Sequence, residues 1–289
     1  MPRPPRKVSG TLRYLIPYAF VFFLLASASL CAEETPSTFD YSDWEQFLKK
    51  YVNEKGEVNY RAAKEDPSLL DAYLGKIKSL TMKELSQWSR EEYMALLINA
   101  FNAGVIRTVL DYYPVKNIMN IPGGWEQAKV QIGRPLKRSS PTGSASFTHS
   151  LNEIESTLLR KTYRDEKILF VLSRAAKGSP RLRREAYTGS KLEGQLYLAT
   201  REFVNDEARN RIQPGEKKIV LSRIFKWYAR DFLLNWGNFP EDIKWGPEEM
   251  AVLSFFAHYL EDPPKVEFLK NAKYKVKYDP FDWRLNDWA

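Results

Sequence analysis

One cysteine and two histidines are all that this 289-residue chain has of the side chains that most often act as nucleophiles, imidazole bases and soft metal ligands. The histidines, His149 and His258, are far apart, and no Cys or His spacing of the zinc kind exists. The calcium-loop pattern of alternating acids ending in Gly is absent, as is a glycine-rich phosphate loop. The Gly123-Gly124 pair reads as a turn. No cofactor and no metal site is therefore expected. Internal repeats and long linkers are missing too, which argues for a single domain.

The N-terminus reads as a targeting segment. Arg3, Arg6, Lys7 and Arg13 precede an apolar run, Tyr14 to Leu30, and small residues follow. This is the layout of a secretory signal peptide over residues 1–32, with cleavage after Ala28 or Ala32. The alternatives are an uncleaved anchor, for which the run is at the short limit, and lipidation at Cys31. The expected location is periplasmic or secreted. Removing residues 1–32 takes away four basic and no acidic residues, which lowers the formal charge from +8 to +4. Such a balance gives no reason to expect nucleic acid. Cleavage after Ala32 would also leave a mature chain without thiols or disulfides, so residues 33–289 must rely on their core. The eight Trp residues suit dense packing.

Apolar periodicity places helices at 39–52, 68–80, 90–113, 150–160, 192–204, 223–232 and 247–260. Ser42, Ser89 and Ser150 are candidate N-caps. Glu92 and Glu153 stand three residues after the second and third, as in a capping box. Helix 90–113 is apolar nearly all round and is expected at the centre. Alternation places strands at 125–132, 217–221 and 273–278, while 168–172 is a strand or a buried helix. Together these give an α/β (more narrowly α+β) fold, a helix-rich single domain with a small antiparallel sheet.

Several blocks, in order, carry a family likeness: GEVNY (56–60), LLINAFNAGVIRTVLDYYPVKNI (96–118), SLNEIESTLLR (150–160), GSPRLRREAYTGSKLEGQL (178–196), LSRIFKWYARDF (221–232) and FDWRLN (281–286). With these the chain resembles the family catalogued as domain of unknown function 547, found in exported bacterial proteins and in plants, across about 56–286. The resemblance implies that some members carry Cys in the segment matching 174–179 and a His after the Glu matching Glu155. Here Arg174 and Ser179 stand at the former positions and Ser156 at the latter.

A hydroxyl nucleophile needs a base within reach. The remaining candidates are Ser179 with His149, oriented by Glu155, against a turn serine and a capping histidine that do no chemistry. Adjacent carboxylates such as Glu153 and Glu155, or Glu248 and Glu249, fit a solvated face better than an acid–base pair. Asn99 and Asn102 share a face of the most apolar helix and need buried hydrogen-bond partners. Asn102, Glu155 and Arg183 are expected to form a polar network near the turn 178–180. With Arg160, Arg174 and Tyr187 they make up the candidate ligand-binding set. Glu155 and Arg160, five apart, need not face each other on an α-helix. Arg134, Lys137 and Arg138 read as a solvated basic loop; Arg181, Arg183 and Arg184 suit carboxylate or phosphate recognition. The expected partner is an unknown envelope component or a small anionic ligand, with membrane contact only through an uncleaved signal segment. Non-catalytic or degenerate-site binding in the envelope is the expected role, and a hydrolase or acyl transferase using Ser179 and His149 is the alternative.

Overall fold

A computed structural model describes residues 39–134, 147–237, 245–271 and 274–288. The expected signal segment and Cys31 lie outside them, as do Lys137 and Arg138. The chain begins with α1 (Ser42–Tyr51), α2 (Tyr60–Glu65), α3 (Ser68–Ser79) and α4 (Met82–Leu85), then the long α5 (Arg90–Tyr112) and the short α6 (Gly124–Gln127). Strands β1 (Lys129–Gln131) and β2 (Thr148–Ser150) follow. Next comes α7 (Leu151–Glu153), which runs directly into a π-helix, Ile154–Lys161. After an irregular stretch come α8 (Leu192–Val204), β3 (Arg211–Gln213), β4 (Lys218–Leu221), α9 (Arg223–Trp227), α10 (Leu233–Trp236), α11 (Pro247–Tyr259), α12 (Pro263–Asn271) and β5 (Lys275–Tyr278).

The expected helix-rich α/β fold is what forms, and α5 is its axis. From Met94 to Ile106 every residue is buried, and α5 packs against α2, α3, α8, β1 and the π-helix. Its length and composition would also let it cross a membrane, but here it fills the core. Ser89 caps it as expected, accepting from the Glu92 amide at 3.0 Å. The Glu92 carboxylate accepts from the Gly189 amide at 2.9 Å, tying the helix start to a distant loop. At α1 the Asp40 carboxylate, not the Ser42 hydroxyl, meets the first free amide, Ser42 N, at 2.9 Å.

Two aromatic clusters anchor the described residues in one core. Trp44 stacks on Phe47 and Tyr73 near the N-terminal helices. Phe170 stacks on Phe255 at 5.5 Å and adjoins Phe203 and Phe225. Antiparallel β1–β2 forms one small sheet. In the other, β3–β4 is antiparallel and β4–β5 parallel. The parallel pair follows from the helical connection between β4 and β5, since a parallel return needs a long crossover. Only the latter part of the expected strand 125–132 is extended. Gly123 and Gly124 adopt φ of 68° and 49°, which starts the short α6 instead. Residues 166–170 form a buried 3₁₀ turn.

Candidate functional site

The segment Val171–Pro180 leaves this 3₁₀ turn without regular structure, and side chains from other elements satisfy its backbone. Asn102 on α5 donates through Nδ2 to Val171 O at 3.0 Å and accepts from Ser173 N at 2.9 Å. Asn99 does the same for Tyr187, donating to its carbonyl at 2.7 Å and accepting from its amide at 3.1 Å. Both asparagines meet the need that an apolar helix imposes on them. On the other side Lys177 N and Gly178 N donate to Arg284 O and Asp282 O, and Asn286 N donates to Ala175 O. Ala175 takes a φ of 57°, the left-handed region that a residue with a Cβ enters at a cost. The chain reverses there, and Arg174 and Ser179 line different concavities.

Arg174 lines a groove of about 770 Å³ between the π-helix, α6, α9 and the C-terminal segment. Its guanidinium is buried. Nη2 donates to Glu155 Oε1 at 2.5 Å and to the Tyr228 hydroxyl at 2.8 Å. The Tyr228 hydroxyl in turn donates to the same Glu155 oxygen at 2.8 Å. Arg160 makes a two-pronged bond to Asp231, at 2.7 and 2.9 Å, and lies over the Tyr228 ring at 4.3 Å. Burial opposes the charge on Arg174, but Glu155 and Tyr228 together outweigh it and the guanidinium holds its proton more tightly than usual. For Arg160, Asp231, Glu155 and Tyr228 together outweigh burial in the same way. The Tyr228 phenol is pushed up to about 12, first by burial; Arg174 opposes that rise and Glu155 adds to it.

The π-helix explains why Glu155 and Arg160 meet. Its i→i+5 hydrogen bonding brings residues five apart onto one side, so both line the groove, with Glu155 Oε1 3.9 Å from Arg160 Nη1. Sequence periodicity assumes an α-helix and misses this. Ser156 and Asn152 also reach the groove wall, where Asn152 donates to Glu126 at 2.5 Å. The outer wall is aromatic. Trp227 is 47% exposed and packs at 5.1 Å from Phe281 and 5.6 Å from Trp283. Tyr228, Asp231 and these tryptophans were not singled out from the sequence. Their only signal was the density of aromatic and charged residues in KWYARD and FDWR.

The expected residues divide among several places. Glu155, Arg160 and Arg174 meet in this groove. Asn102 stands behind it, holding residues 171–173. Arg183 is elsewhere, bonded to Glu185 at 2.9 Å and to Glu202 at 3.3 Å, so the expected network of Asn102, Glu155 and Arg183 does not form; Arg174 is the partner of Glu155. Tyr187 is a core residue, 2% exposed. Ser179 is buried, and its hydroxyl accepts from Arg174 N at 3.2 Å. His149 pairs with Val130 across the small sheet and places Nδ1 3.0 Å from Glu153 Oε1, outside hydrogen-bond geometry. No hydrogen bond or ion pair joins His149 to Ser179 or Glu155 among the described residues. His149 is held in a strand of the small sheet, whereas Ser179 sits in a turn pinned to residue 176. Among the described residues no cluster of three or more His, Cys, Asp and Glu is placed to hold a metal ion.

Comparison with known proteins finds no match among curated proteins and none among solved structures. Residues 85–204, which contain Asn102, Glu155, Arg160, Arg174 and Ser179, match the family model described as "Protein of unknown function, DUF547".

Proposed function

We propose that the chain is a non-catalytic ligand-binding protein of the cell envelope, and that the groove around Arg174 holds a polar, ring-bearing ligand of the saccharide kind. One observation carries this reading: the groove floor is a closed set of matched charges, while its outer wall is exposed indole. Arg174 is matched by Glu155 and Arg160 by Asp231, so the floor offers directed donors and acceptors, while Glu126 on the wall, bonded to Asn152, adds a carboxylate. Such a floor suits hydroxyl groups, and an exposed Trp227 beside Trp283 suits the apolar face of a sugar ring. The absence of turnover is supported by what lines the groove. Among the described residues Ser156 is its one hydroxyl besides Tyr228; it donates to Asn152 O at 2.6 Å, and no imidazole lines the groove beside it. The basic and apolar N-terminal residues support an envelope location.

Tryptophan fluorescence of the full chain, titrated with neutral and acidic oligosaccharides and followed by product analysis, tests this. The expected result is saturable binding with unchanged sugar, weakened about tenfold in Trp227→Ala, as for the loss of one aromatic contact of about 1–2 kcal/mol. No saturable binding, an affinity indifferent to Trp227, or a cleaved sugar would each overturn the reading.

A further inference from the structure

The segment that carries Arg174 also lines a second groove, of about 600 Å³, on the side of Ser179 and Pro180. The turn at Gly56, the C-terminal half of α8 and residues 205–209 complete it. Acidic side chains on this wall are already engaged. Glu202 takes Arg183, Asp206 takes Arg209 at 2.9 Å, Glu207 takes Lys265 at 2.7 Å, and Glu57 accepts from Asn53 at 3.0 Å. Among the described residues the side chains of Lys55, Lys177 and Arg181 have no hydrogen bond or ion pair, and set against the charge of Glu57 they leave the groove a surplus of positive charge.

Backbone geometry positions Arg181 here. Gly56 has a φ of 76°, and a Cβ on it would lie 2.3 Å from Arg181 Cγ, so the arginine stem runs over a position that only glycine leaves open. Beside it, Arg209 is held by Asp206 and by the Lys177 carbonyl at 2.9 Å. Burial lowers the Arg209 pKa first; Asp206 opposes that fall, and the Arg181 charge adds to it. Two guanidiniums that repel each other across one concavity are an arrangement that a bound oxyanion relieves.

We propose that this second groove binds the phosphate or carboxylate group of a small anionic molecule, with Arg181 as the principal ligand and Lys55 and Lys177 flanking it. A guanidinium fork matches either oxyanion, and the volume suits a small molecule. The site is independent of the indole-walled groove.

Calorimetric titration of the full chain at low ionic strength, with inorganic phosphate and citrate in separate arms, tests it. At least one should bind saturably at one site and weaken as sodium chloride is raised; the arm that binds more tightly identifies the oxyanion. Arg181→Gln should weaken binding about tenfold, as for a lost charge-assisted bond, and Lys177→Gln by a smaller factor. Both side chains are exposed, so these variants keep the fold. Trp227→Ala should leave the anion affinity unchanged. Failure of both anions to bind, or an Arg181→Gln affinity equal to that of the parent, would overturn the proposal. So would loss of anion binding in Trp227→Ala, which would place the anion in the other groove.

Discussion

A single oxygen of Glu155 accepts from both Arg174 and Tyr228, and each of the two charged side chains is less than a tenth exposed. Breaking such a pair leaves a buried charge without a partner, which costs about 3–5 kcal/mol. Glu155→Ala should therefore lower the unfolding free energy by about that much in urea denaturation, while Glu155→Ala with Arg174→Met should regain part of the loss. A double variant no more stable than the single one would show that the pair is not the source. Glu155 was readable as a polar residue of a capped helix, and Arg174 as a position that the family resemblance marks. Their partners were not, because Tyr228 lies 73 positions from Glu155 and no local pattern links them.

Two glycines separate helix propensity from packing at the level of single elements. Gly75 on α3 is exposed, and a Cβ there meets nothing within 4 Å. Gly104 on α5 faces the small sheet, where a Cβ would lie 2.4 Å from Val130 Cγ2 and 2.8 Å from Leu151 Cδ2. Gly75→Ala should stabilise the protein by about 0.5–1 kcal/mol through backbone entropy. Gly104→Ala gains the same propensity but meets stiff, buried neighbours, and overpacking of about 1–3 kcal/mol should reverse the sign. Thermal melts of the two variants should move in opposite directions. Helix α5 itself was legible from its capping serine and its run of apolar residues. The π-helix was not: an eight-residue stretch with apolar spacing close to 3.6 reads as α, and the wider turn is seen only in the folded chain, where it packs against α5.

Buried phenols set how the whole molecule responds to alkali. Burial raises Tyr41, Tyr60 and Tyr73 well above the ordinary value of 10.0, and raises Tyr163, Tyr228 and Tyr278 to about 12. A folded-state pKa above the unfolded one means that the unfolded chain releases protons first. Stability is then fully present below pH 10 and falls as pH rises through 12. Circular dichroism and phenolate absorbance recorded together should change in one step within that window. Phenolate appearing well before the loss of structure would show that these hydroxyls are accessible in the folded protein.

Composition and periodicity, which are local, determined the main helices, the centrality of α5, the two long-range asparagine obligations and the absence of thiol chemistry from residues 33–289. Ser89 and Ser150 could be read as caps because the bonds they accept span three residues. Only tertiary structure decided that Glu155, Arg160 and Arg174 meet under Tyr228, that Arg183 and Tyr187 do not join them, and that Arg181 lies over Gly56. The physical reason is range. These contacts join elements far apart in the chain, and they depend on a π-turn, a left-handed residue at Ala175 and a missing Cβ at Gly56, features that arise when the elements pack together.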